Sequence, residues 1–556
     1  MKSRSRWMYL IFIITLIFVS YLVFGPISMV VKGSFFTGSP WDVGNFTLQH
    51  FADVFTEGKY IKAFYNTLEI GFIAVLIAGI LGFAFSWLVS RSDVPCKALI
   101  RTANYVPLVF PTFLGAIGWG LLARPRVGLF NVFLVDYFPP NGPFNIYSVK
   151  MIGVILGLYL VPVAYTLLTA TMTNMDSSME DSARISGAST ITMIRTVTFP
   201  LMKPAVLASL IYVFIMAVEN FGVAMILGRP VRINVLLTQL YVEQVYSTPT
   251  FGGGSVIALL LLLSLTAMSS LYYKTTQASY KYVTVTGKST RRTLVHLGKF
   301  RYVAFSVWVV YFLMCIVLPF GAIVYMSFLP YPDIRAAQYT LSNYGTVFNM
   351  PTLLRAVYNS FAGVSFTAVI ALIFAVIITL LVHKTRIPFR KSLDFIASIP
   401  ISIPGIIMGM GLLFFWVGKN VGVYGSIWIV IICLFTHYLP LSVRTVSNSM
   451  LQVSSELEEA SLVLGAGEGQ TMFYILAPLL RKSLVVGFLL IWLYMFRQMG
   501  AVAMVYSFGS EMLPVAVMQQ WDAGKYNLTA ALATIQATIA MVIVSIYLRL
   551  TRKYGD

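Results

Sequence analysis

Long apolar segments separated by short polar ones run along the whole chain of 556 residues. Twelve of the apolar segments are about 20 residues or longer, the length that a helix needs to cross the hydrocarbon core of a bilayer. They form two sets of six, near 8–31, 66–90, 103–123, 151–172, 205–227 and 255–273, and near 302–326, 359–382, 396–417, 425–446, 483–505 and 528–549. This pattern predicts an all-α polytopic membrane protein with twelve transmembrane helices.

The two sets of six segments also repeat short motifs. The matched positions are Ala63–Asn66 with Ala356–Asn359, Pro107 and Pro111 with Pro400 and Pro404, and Pro162 with Pro440. The first matches are offset by 293 residues and the last by 278, so the first half contains an insertion, which we place in the loop at about 124–149. Because each half has an even number of segments, we expect parallel repeats related by an axis along the membrane normal.

Composition and charge agree with a membrane protein. Charged residues make up 11% of the chain, whereas a soluble domain has about 25%. The net charge of +19 arises mostly from Lys and Arg in alternate loops. The positive-inside rule therefore predicts that both termini and the linker between the halves face the cytoplasm, and no nucleic-acid partner is needed. We divide the chain into a first half of six helices at 1–283, a basic linker at 284–300 and a second half at 301–556.

Two polar segments on the predicted cytoplasmic side nearly repeat each other. Residues 180–188 read Glu-Asp-Ser-Ala-Arg-Ile-Ser-Gly-Ala, and residues 458–466 read Glu-Glu-Ala-Ser-Leu-Val-Leu-Gly-Ala. Ser177 with Glu180, and Ser455 with Glu458, fit a capping box that begins a helix, and Gly187 and Gly465 stand where a helix would end in the left-handed conformation. A helix of about two turns is unstable alone. We interpret the pair as a docking surface made twice, the alternative being capped turns that only join two spans.

The duplicated segments resemble the Glu-Ala-Ala…Gly signature of inner-membrane subunits of binding-protein-dependent ABC importers. The resemblance implies that each helix docks on a cytoplasmic ATPase subunit, of which two copies bind, through Glu180, Asp181, Ala183 and Gly187 and through Glu458, Glu459, Ala460 and Gly465. It also implies an extracytoplasmic solute-binding protein and a location in the cell (inner) membrane. The first copy departs from the signature at Ser182, and Lys482 replaces a proline that the first copy keeps as Pro204.

A narrower resemblance lies in the fifth span of each half. Glu219-Asn220-Phe221-Gly222 and Arg497-Gln498-Met499-Gly500 look like the Fe(III)-type branch of these permeases, which commonly fuses two six-span halves. Members of that branch serve ferric iron, 2-aminoethylphosphonate, thiamine and hexose phosphates. The resemblance implies ferric iron or a small anion such as an organophosphonate as solute, with thiamine, a polyamine or a sugar phosphate as alternatives.

The sequence contains no clear motif for ATP binding or for a metal site. Gly287-Lys288-Ser289-Thr290 ends like a phosphate-binding loop, but Tyr282 stands where that loop needs a glycine. Three cysteines and four histidines are scattered and predict neither a disulfide framework nor a metal site. We therefore expect no enzyme activity and no bound cofactor, with ATP and Mg²⁺ held by the partner ATPase subunits that the resemblance implies.

Polar side chains within the spans mark the predicted translocation path. Glu219 and Arg497 are 278 residues apart, so they occupy matched places with opposite charge, next to Asn220 and Gln498. A charge inside a span costs about 2.5–3.5 kcal/mol on insertion scales. The two charges could form an ion pair that locks the halves together, or they could face the solute. A secondary transporter built from two six-span repeats is the rival class, against which the duplicated segments and the sparse membrane charges argue.

Overall fold

The computed structural model describes residues 2–134, 143–176, 178–245, 251–280, 294–331, 338–385, 387–419, 421–452, 455–471, 474–475 and 477–554. Helices dominate these ranges. Within them, the strands are confined to one hairpin, β1 (Phe36–Gly38) and β2 (Val43–Phe46), which pair antiparallel. The predicted all-α class is confirmed.

The helices of the two halves follow one another in the same order. The first half contains α1 (Lys2–Phe35), α2 (Gln49–Thr56), α3 (Gly58–Arg91), α4 (Lys97–Ala103), α5 (Val106–Val109), α6 (Thr112–Ala123), α7 (Leu129–Phe133), α8 (Val149–Asn174), α9 (Ser178–Ile185), α10 (Thr190–Met193), α11 (Phe199–Val218), α12 (Phe221–Gly228), α13 (Leu236–Val245) and α14 (Gly253–Tyr280). The second half contains α15 (Phe300–Phe312), α16 (Leu318–Ser327), α17 (Ser342–Asn349), α18 (Pro351–Tyr358), α19 (Val364–His383), α20 (Arg390–Ser398), α21 (Gly405–Trp416), α22 (Ile427–Leu451), α23 (Ser455–Val463), α24 (Glu468–Thr471), α25 (Ala477–Phe496), α26 (Gly500–Val505), α27 (Leu513–Asp522) and α28 (Tyr526–Tyr554). Single π-helical turns join α10 to α11, α15 to α16 and α18 to α19.

Ten helical segments in the described ranges are long and apolar enough to cross a membrane. Three further pairs of helices pass the same test together but bend sharply at a short break: Lys97–Val109 with Thr112–Ala123 by 92°, Phe221–Val231 with Leu236–Val245 by 71°, and Arg390–Ser402 with Gly405–Trp416 by 110°. The ten segments and the first and last pairs correspond in order to the twelve predicted spans.

The bends in the third span of each half occur at the repeated prolines. Pro111 immediately precedes α6 and Pro404 immediately precedes α21, both with extended ψ values of 123° and 137°. Proline has no N–H to donate to the preceding turn and disfavours helical geometry in the residue before it. The repeated prolines therefore interrupt the third span of each half, and the chain turns there by 92° in the first half and 110° in the second.

The fifth spans differ from the prediction. We predicted continuous segments at 205–227 and 483–505, but α11 ends at Val218 and α25 ends at Phe496. Both breaks fall on the polar residues that follow, and the chain resumes as the short helices α12 and α26. An average over an apolar window does not register one or two polar residues within it, which is why the break was missed.

The first helix of each half packs against the other half. α1 lies along α21, and α16 lies along α6, while the second and fourth spans pair within each half as α3 with α8 and α19 with α22. A Cβ on Gly411 would lie 2.7 Å from the Pro26 carbonyl oxygen, and a Cβ on Gly118 would collide with the Pro319 carbonyl oxygen. These two contacts are related by the 293-residue offset. The halves are therefore joined by a reciprocal, pseudo-two-fold exchange of their first helices.

Candidate docking and translocation sites

The first duplicated segment forms α9 and ends as predicted. Gly187 has φ +82°. The Ala188 N–H donates to the Ala183 carbonyl at 3.0 Å and the Gly187 N–H donates to the Arg184 carbonyl at 2.9 Å. This pair of bonds is a Schellman motif, which needs the left-handed conformation at the residue that glycine occupies here.

The second segment ends in the same way. α23 runs from Ser455 to Val463, Gly465 has φ +87°, and the Ala466 N–H donates to the Ser461 carbonyl at 3.1 Å. The left-handed glycine is thus confirmed in both copies. The side chains of Glu458 and Glu459 lie outside the described part of the chain, while Ala460 is exposed.

The structure tests the predicted capping box of α9 only at Glu180, whose carboxylate binds Arg91 and Thr198 instead of the start of the helix. Ser177 lies outside the described residues, and the Asp176 carboxylate accepts from the N–H and the hydroxyl of Ser178, each at 3.0 Å. Glu180 points into the protein, where it is fully buried. Its carboxylate lies 2.7 Å from the Arg91 guanidinium and accepts the Thr198 hydroxyl at 2.7 Å. Glu180 therefore fastens α9 to the end of α3 and to the turn before α11.

The Arg91 side chain is as buried as its carboxylate partner, with 2% of its surface exposed. Its guanidinium also donates to the Met175 carbonyl at 3.1 Å, so it holds both sides of the loop that enters α9. Further hydrogen bonds help to offset the cost of burying such a pair, and Thr198 and Met175 each supply one here. Asp181, in contrast, lies on the partly exposed side, 3.9 Å from Arg184.

Apolar side chains project from both duplicated helices into open space. Met179 and Ile185 on α9 are 58% and 88% exposed, and their counterparts at the 278-residue offset, Leu457 and Val463 on α23, are 47% and 86% exposed. Leu464 is 87% exposed as well. Exposed apolar side chains of this size at matched positions, on segments that are otherwise polar, are typical of a surface that a partner covers.

The break after α11 is held by Asn220. Its side-chain oxygen accepts the Val223 N–H at 3.0 Å and so caps α12, and its amide nitrogen donates to the Thr112 hydroxyl at 3.2 Å, next to the proline bend of the third span. Glu219 is the last residue before the break, and the Ile215 carbonyl accepts its N–H at 2.9 Å. The break in the fifth span and the bend in the third span of the first half are therefore in contact.

The matched break after α25 reaches into the first half. The Arg497 guanidinium donates to the Leu108 carbonyl and lies 4.3 Å from the centre of the Tyr494 ring. The Gln498 side-chain oxygen accepts the Tyr438 hydroxyl at 3.2 Å. Glu219 and Arg497 are both described, and no ion pair joins their side chains. The structure thus places the two charges at matched breaks near the bends of the third spans. They do not form the ion pair between the halves that was one of our two interpretations.

In each half, two residues that sequence reasoning did not assign hold the loop beyond the break. Asn66 donates to the Asn234 carbonyl at 2.8 Å and Thr67 accepts the Leu236 N–H at 3.0 Å. At the 293-residue offset, Asn359 donates to the Gly509 and Glu511 carbonyls at 3.1 and 3.0 Å, and the Ser360 hydroxyl accepts the Leu513 N–H at 2.6 Å. The repeated Tyr-Asn motif was the signal that could have identified them.

The end of the linker between the halves is held by hydrogen bonds to the end of α3 and the residues that follow it, beside the Arg91 side chain that binds α9. The Val295 N–H donates to the Arg91 carbonyl at 2.8 Å and the Asp93 N–H donates to the Val295 carbonyl at 3.1 Å. The Leu297 N–H donates to the Asp93 carboxylate at 2.9 Å, and this bond, with His296 at 3.3 Å, lowers the pKa of Asp93. The same backbone that carries Arg91 therefore also anchors the entry to the second half.

Comparison with known proteins gives one family. The model of the binding-protein-dependent transport system inner membrane component matches this chain twice, at residues 91–278 and 384–554. Both matches include one duplicated helix, α9 or α23, and the break that follows it. Among the described residues, no group of three His, Cys, Asp or Glu side chains could hold a metal ion.

Individual relatives are distant in sequence, and two of them extend along most of the chain. The ferric transport system permease protein FbpB of Actinobacillus pleuropneumoniae is 23% identical over 96% of this chain and 77% of its own length. The Fe(3+)-transport system permease protein FbpB 2 of Haemophilus influenzae is 22% identical over 88% of this chain and 89% of its own length. PhnU of Salmonella choleraesuis, named as a 2-aminoethylphosphonate transport system permease protein, is 26% identical over 47% of this chain and 89% of its own length.

Proposed function

Because this chain belongs to the family of binding-protein-dependent transport system inner membrane components, we propose that its two halves together form the translocation path of an ABC importer driven by two separate ATPase subunits. Each ATPase docks on one duplicated helix, α9 or α23. A solute-binding protein delivers the solute at the opposite face of the membrane. Both termini and the linker lie on the ATPase side, as the distribution of Lys and Arg predicts.

The matched exposed apolar residues carry the docking proposal. Ile185 and Val463 are 88% and 86% exposed at equivalent positions, each two residues before the glycine that ends its helix. Burying a side chain of this size contributes about 1.5–3 kcal/mol, and both would remain in water without a partner. The buried Arg91–Glu180 pair supplies what docking also requires, because it connects α9 rigidly to the transmembrane helix α3.

Co-purification with the ATPase subunit tests the docking. The full chain and its ATPase subunit are co-expressed and isolated through a tag on the permease. Ile185→Asp combined with Val463→Asp should reduce the recovered ATPase and the ATP hydrolysis of the complex by tenfold or more, since roughly 3 kcal/mol of apolar burial is replaced by buried charge. Val421→Asp, which alters a 61% exposed valine in the loop between α21 and α22, is the control and should leave recovery unchanged. Equal recovery from all three proteins would contradict the docking assignment.

We also propose a ferric ion or a small anion such as an organophosphonate as the solute. The names of the FbpB and PhnU relatives support this class. The Arg497 guanidinium at the break after α25 lies where it could meet an anion or an anion-chelated metal ion. The solute is tested by measuring ATP hydrolysis in proteoliposomes supplied with the binding protein loaded with Fe(III) or with 2-aminoethylphosphonate. Stimulation by neither would exclude both solutes and leave the docking proposal intact.

Membership of this family also decides against the secondary transporter. That class needs neither docking helices nor a partner ATPase, and its coupling ions require ionisable residues in several spans. The decisive measurement is uptake by the complex with ATP replaced by a non-hydrolysable analogue, under an imposed proton or sodium gradient. We expect no uptake.

A further inference from the structure

An apolar groove of about 340 Å³ opens on the membrane-facing side of the second half. α1, α19 and α22 form its walls, and the end of α21 closes one side. Phe18, Phe366 and Phe435 are among the residues that line it. Thr367 also lines it, but its hydroxyl donates to the Gly363 carbonyl at 2.7 Å, and the surface of the groove is apolar.

The groove exists in the second half because two bulky residues replace two glycines. In the first half, α8 packs directly onto α3, and a Cβ on Gly153 or Gly157 would lie 2.9 Å from Ile73 or Ile77. The equivalent residues on α22, at the 278-residue offset, are Ile431 and Phe435. Their side chains stand where the glycines allow close approach, so α22 cannot press against α19 to the same depth. The groove is thus built by sequence and is specific to one half.

The rim of the groove has the composition of a membrane interface. Trp416 is the last residue of α21 and Trp428 is the second residue of α22, and both line the groove. Tryptophan is enriched where the hydrocarbon core meets the headgroups. The short loop between these two helices therefore lies at headgroup level, with the groove running from there into the hydrocarbon.

The side chain of Lys419 lies beside this rim. The Lys419 ammonium lies 3.4 Å from the centre of the Phe415 ring and 5.2 Å from that of Trp416, and it donates to the Tyr21 hydroxyl at 3.4 Å. No carboxylate of the described residues lies within 4.0 Å of it. Lysine at this depth places its stem along apolar surface and its charge among headgroups, where it attracts a phosphate.

We propose that the groove binds one acyl chain of an anionic phospholipid whose headgroup phosphate contacts Lys419. The apolar lining selects a hydrocarbon chain, the aromatic rim places the glycerol backbone, and the ammonium selects negative charge. The lipid fills the space that Ile431 and Phe435 keep open between α1 and the second half. It thereby supports the packing of the exchanged helix α1 against its neighbours.

Native mass spectrometry of the purified full chain tests this site. The protein is titrated with phosphatidylglycerol or phosphatidylcholine of identical chains. We expect one retained phosphatidylglycerol with an affinity about fivefold higher than that of phosphatidylcholine, since one interfacial Lys contributes about 1 kcal/mol. Lys419→Gln should abolish this preference. Arg126→Gln is the control, because Arg126 lies just after α6, the counterpart of α21 in the first half, where the glycines let α8 pack closely onto α3.

Fluorescence quenching locates the chain in the groove. Phosphatidylglycerol brominated in its acyl chains should quench tryptophan emission of the full chain, and Trp416→Phe together with Trp428→Phe should remove most of the component that saturates. Inorganic phosphate at millimolar concentration should not relieve quenching, which separates a lipid headgroup from a free phosphate. Equal affinity for both lipids in the unaltered protein, or an unchanged preference in Lys419→Gln, would mean annular lipid only and would overturn the proposal.

Discussion

At the scale of single residues, the structure divides the duplicated segment into two kinds of side chain. Glu180 points inward and binds Arg91, while Ile185 points outward and is 88% exposed. The sequence pattern correctly identified the segment and its terminal glycine, since a left-handed position leaves a local signature. It could not separate inward from outward residues, because the partner of Glu180 is Arg91, distant in the sequence. Glu180 was predicted to contact the ATPase. We now propose that it contributes to docking indirectly, by holding α9 in position.

Removing Glu180 should therefore destabilise the protein more than removing its neighbour. Glu180→Ala leaves the Arg91 charge buried without a counterion, which costs about 3–5 kcal/mol. Asp181→Ala removes a partly exposed carboxylate, which contributes about 0–1 kcal/mol. Thermal unfolding of the purified permease should show a large loss for the first variant and almost none for the second. Arg91→Met together with Glu180→Met should recover part of the loss. Similar unfolding temperatures for both single variants would contradict the structural role of the ion pair.

Substitution of the glycines that end α9 and α23 should impair ATPase docking more than it lowers the stability of the permease. A Cβ at Gly187 or Gly465 meets nothing within 4 Å, but their φ values of +82° and +87° strain any other residue. Gly187→Asp combined with Gly465→Asp should cost only about 1 kcal/mol per site in stability and yet weaken co-purification of the ATPase. Gly58→Asp, where a Cβ also meets nothing but φ is ordinary, should affect neither measurement. Normal solute uptake by the double variant would refute the docking assignment.

At the scale of elements, the third and fifth spans show which helix breaks can be predicted from the sequence and which cannot. The third spans carry prolines, whose missing N–H is a local property, so their interruption was predictable and only the size of the bend was not. The fifth spans break at Glu219–Asn220 and at Arg497–Met499, where nothing forbids a helix. Contacts with Thr112 and Leu108 stabilise the open ends instead. Such tertiary contacts have no signature in a hydropathy profile.

The loop beyond the second break should depend on Asn359. Its amide donates to two backbone carbonyls, and an ionised aspartate could not donate to either. Asn359→Asp should therefore lower uptake and thermal stability more than Asn359→Ala, at about 1–3 kcal/mol for each carbonyl left unsatisfied. ATPase co-purification should be unchanged, since the loop is remote from α23 in the chain. Asn66→Asp, which affects a single carbonyl, is the milder counterpart. A larger effect of the alanine variant would exclude the proposed hydrogen bonds.

At the scale of the whole molecule, the two halves hold each other by exchanged helices, by the Trp521 indole N–H donating to the Ile226 carbonyl at 3.0 Å, and by Arg229 at 3.3 Å from Asp522. The six-plus-six organisation was predictable, because repeated motifs and offsets are visible in one sequence. The exchange was not, because it depends on contacts between residues far apart in the sequence. Gly118 with Pro319 and Gly411 with Pro26 are two such contacts, and the Phe18 and Tyr21 rings against Phe435 and Phe415 are others.

This exchange predicts that a divided chain still assembles. Fragments 1–286 and 287–556, co-expressed with a tag on one of them, should co-purify, because the contacts between them, including those of Val295 with Arg91 and Asp93, do not require a covalent connection. Gly118→Leu inserts a side chain against the Pro319 backbone, at a cost of about 1–3 kcal/mol, and should reduce recovery of the untagged fragment. Gly321→Leu, where a Cβ meets nothing within 4 Å, should not. Failure of the unaltered fragments to co-purify would show that the covalent connection is required.

The exchanged first helix also means that α1 must wait during translation for the helix against which it packs. α1 is among the first segments to enter the membrane, but the glycine face of α21 that receives Pro26 is made about 385 residues later. At roughly 5–20 residues per second, the ribosome takes about 20–80 s to reach it. During that interval one side of α1 faces lipid or a chaperoning insertase, so the nascent protein must survive as a half-built intermediate. We expect newly made chains arrested before residue 405 to expose Pro26 to membrane-soluble cross-linkers, and chains that have passed residue 450 to protect it.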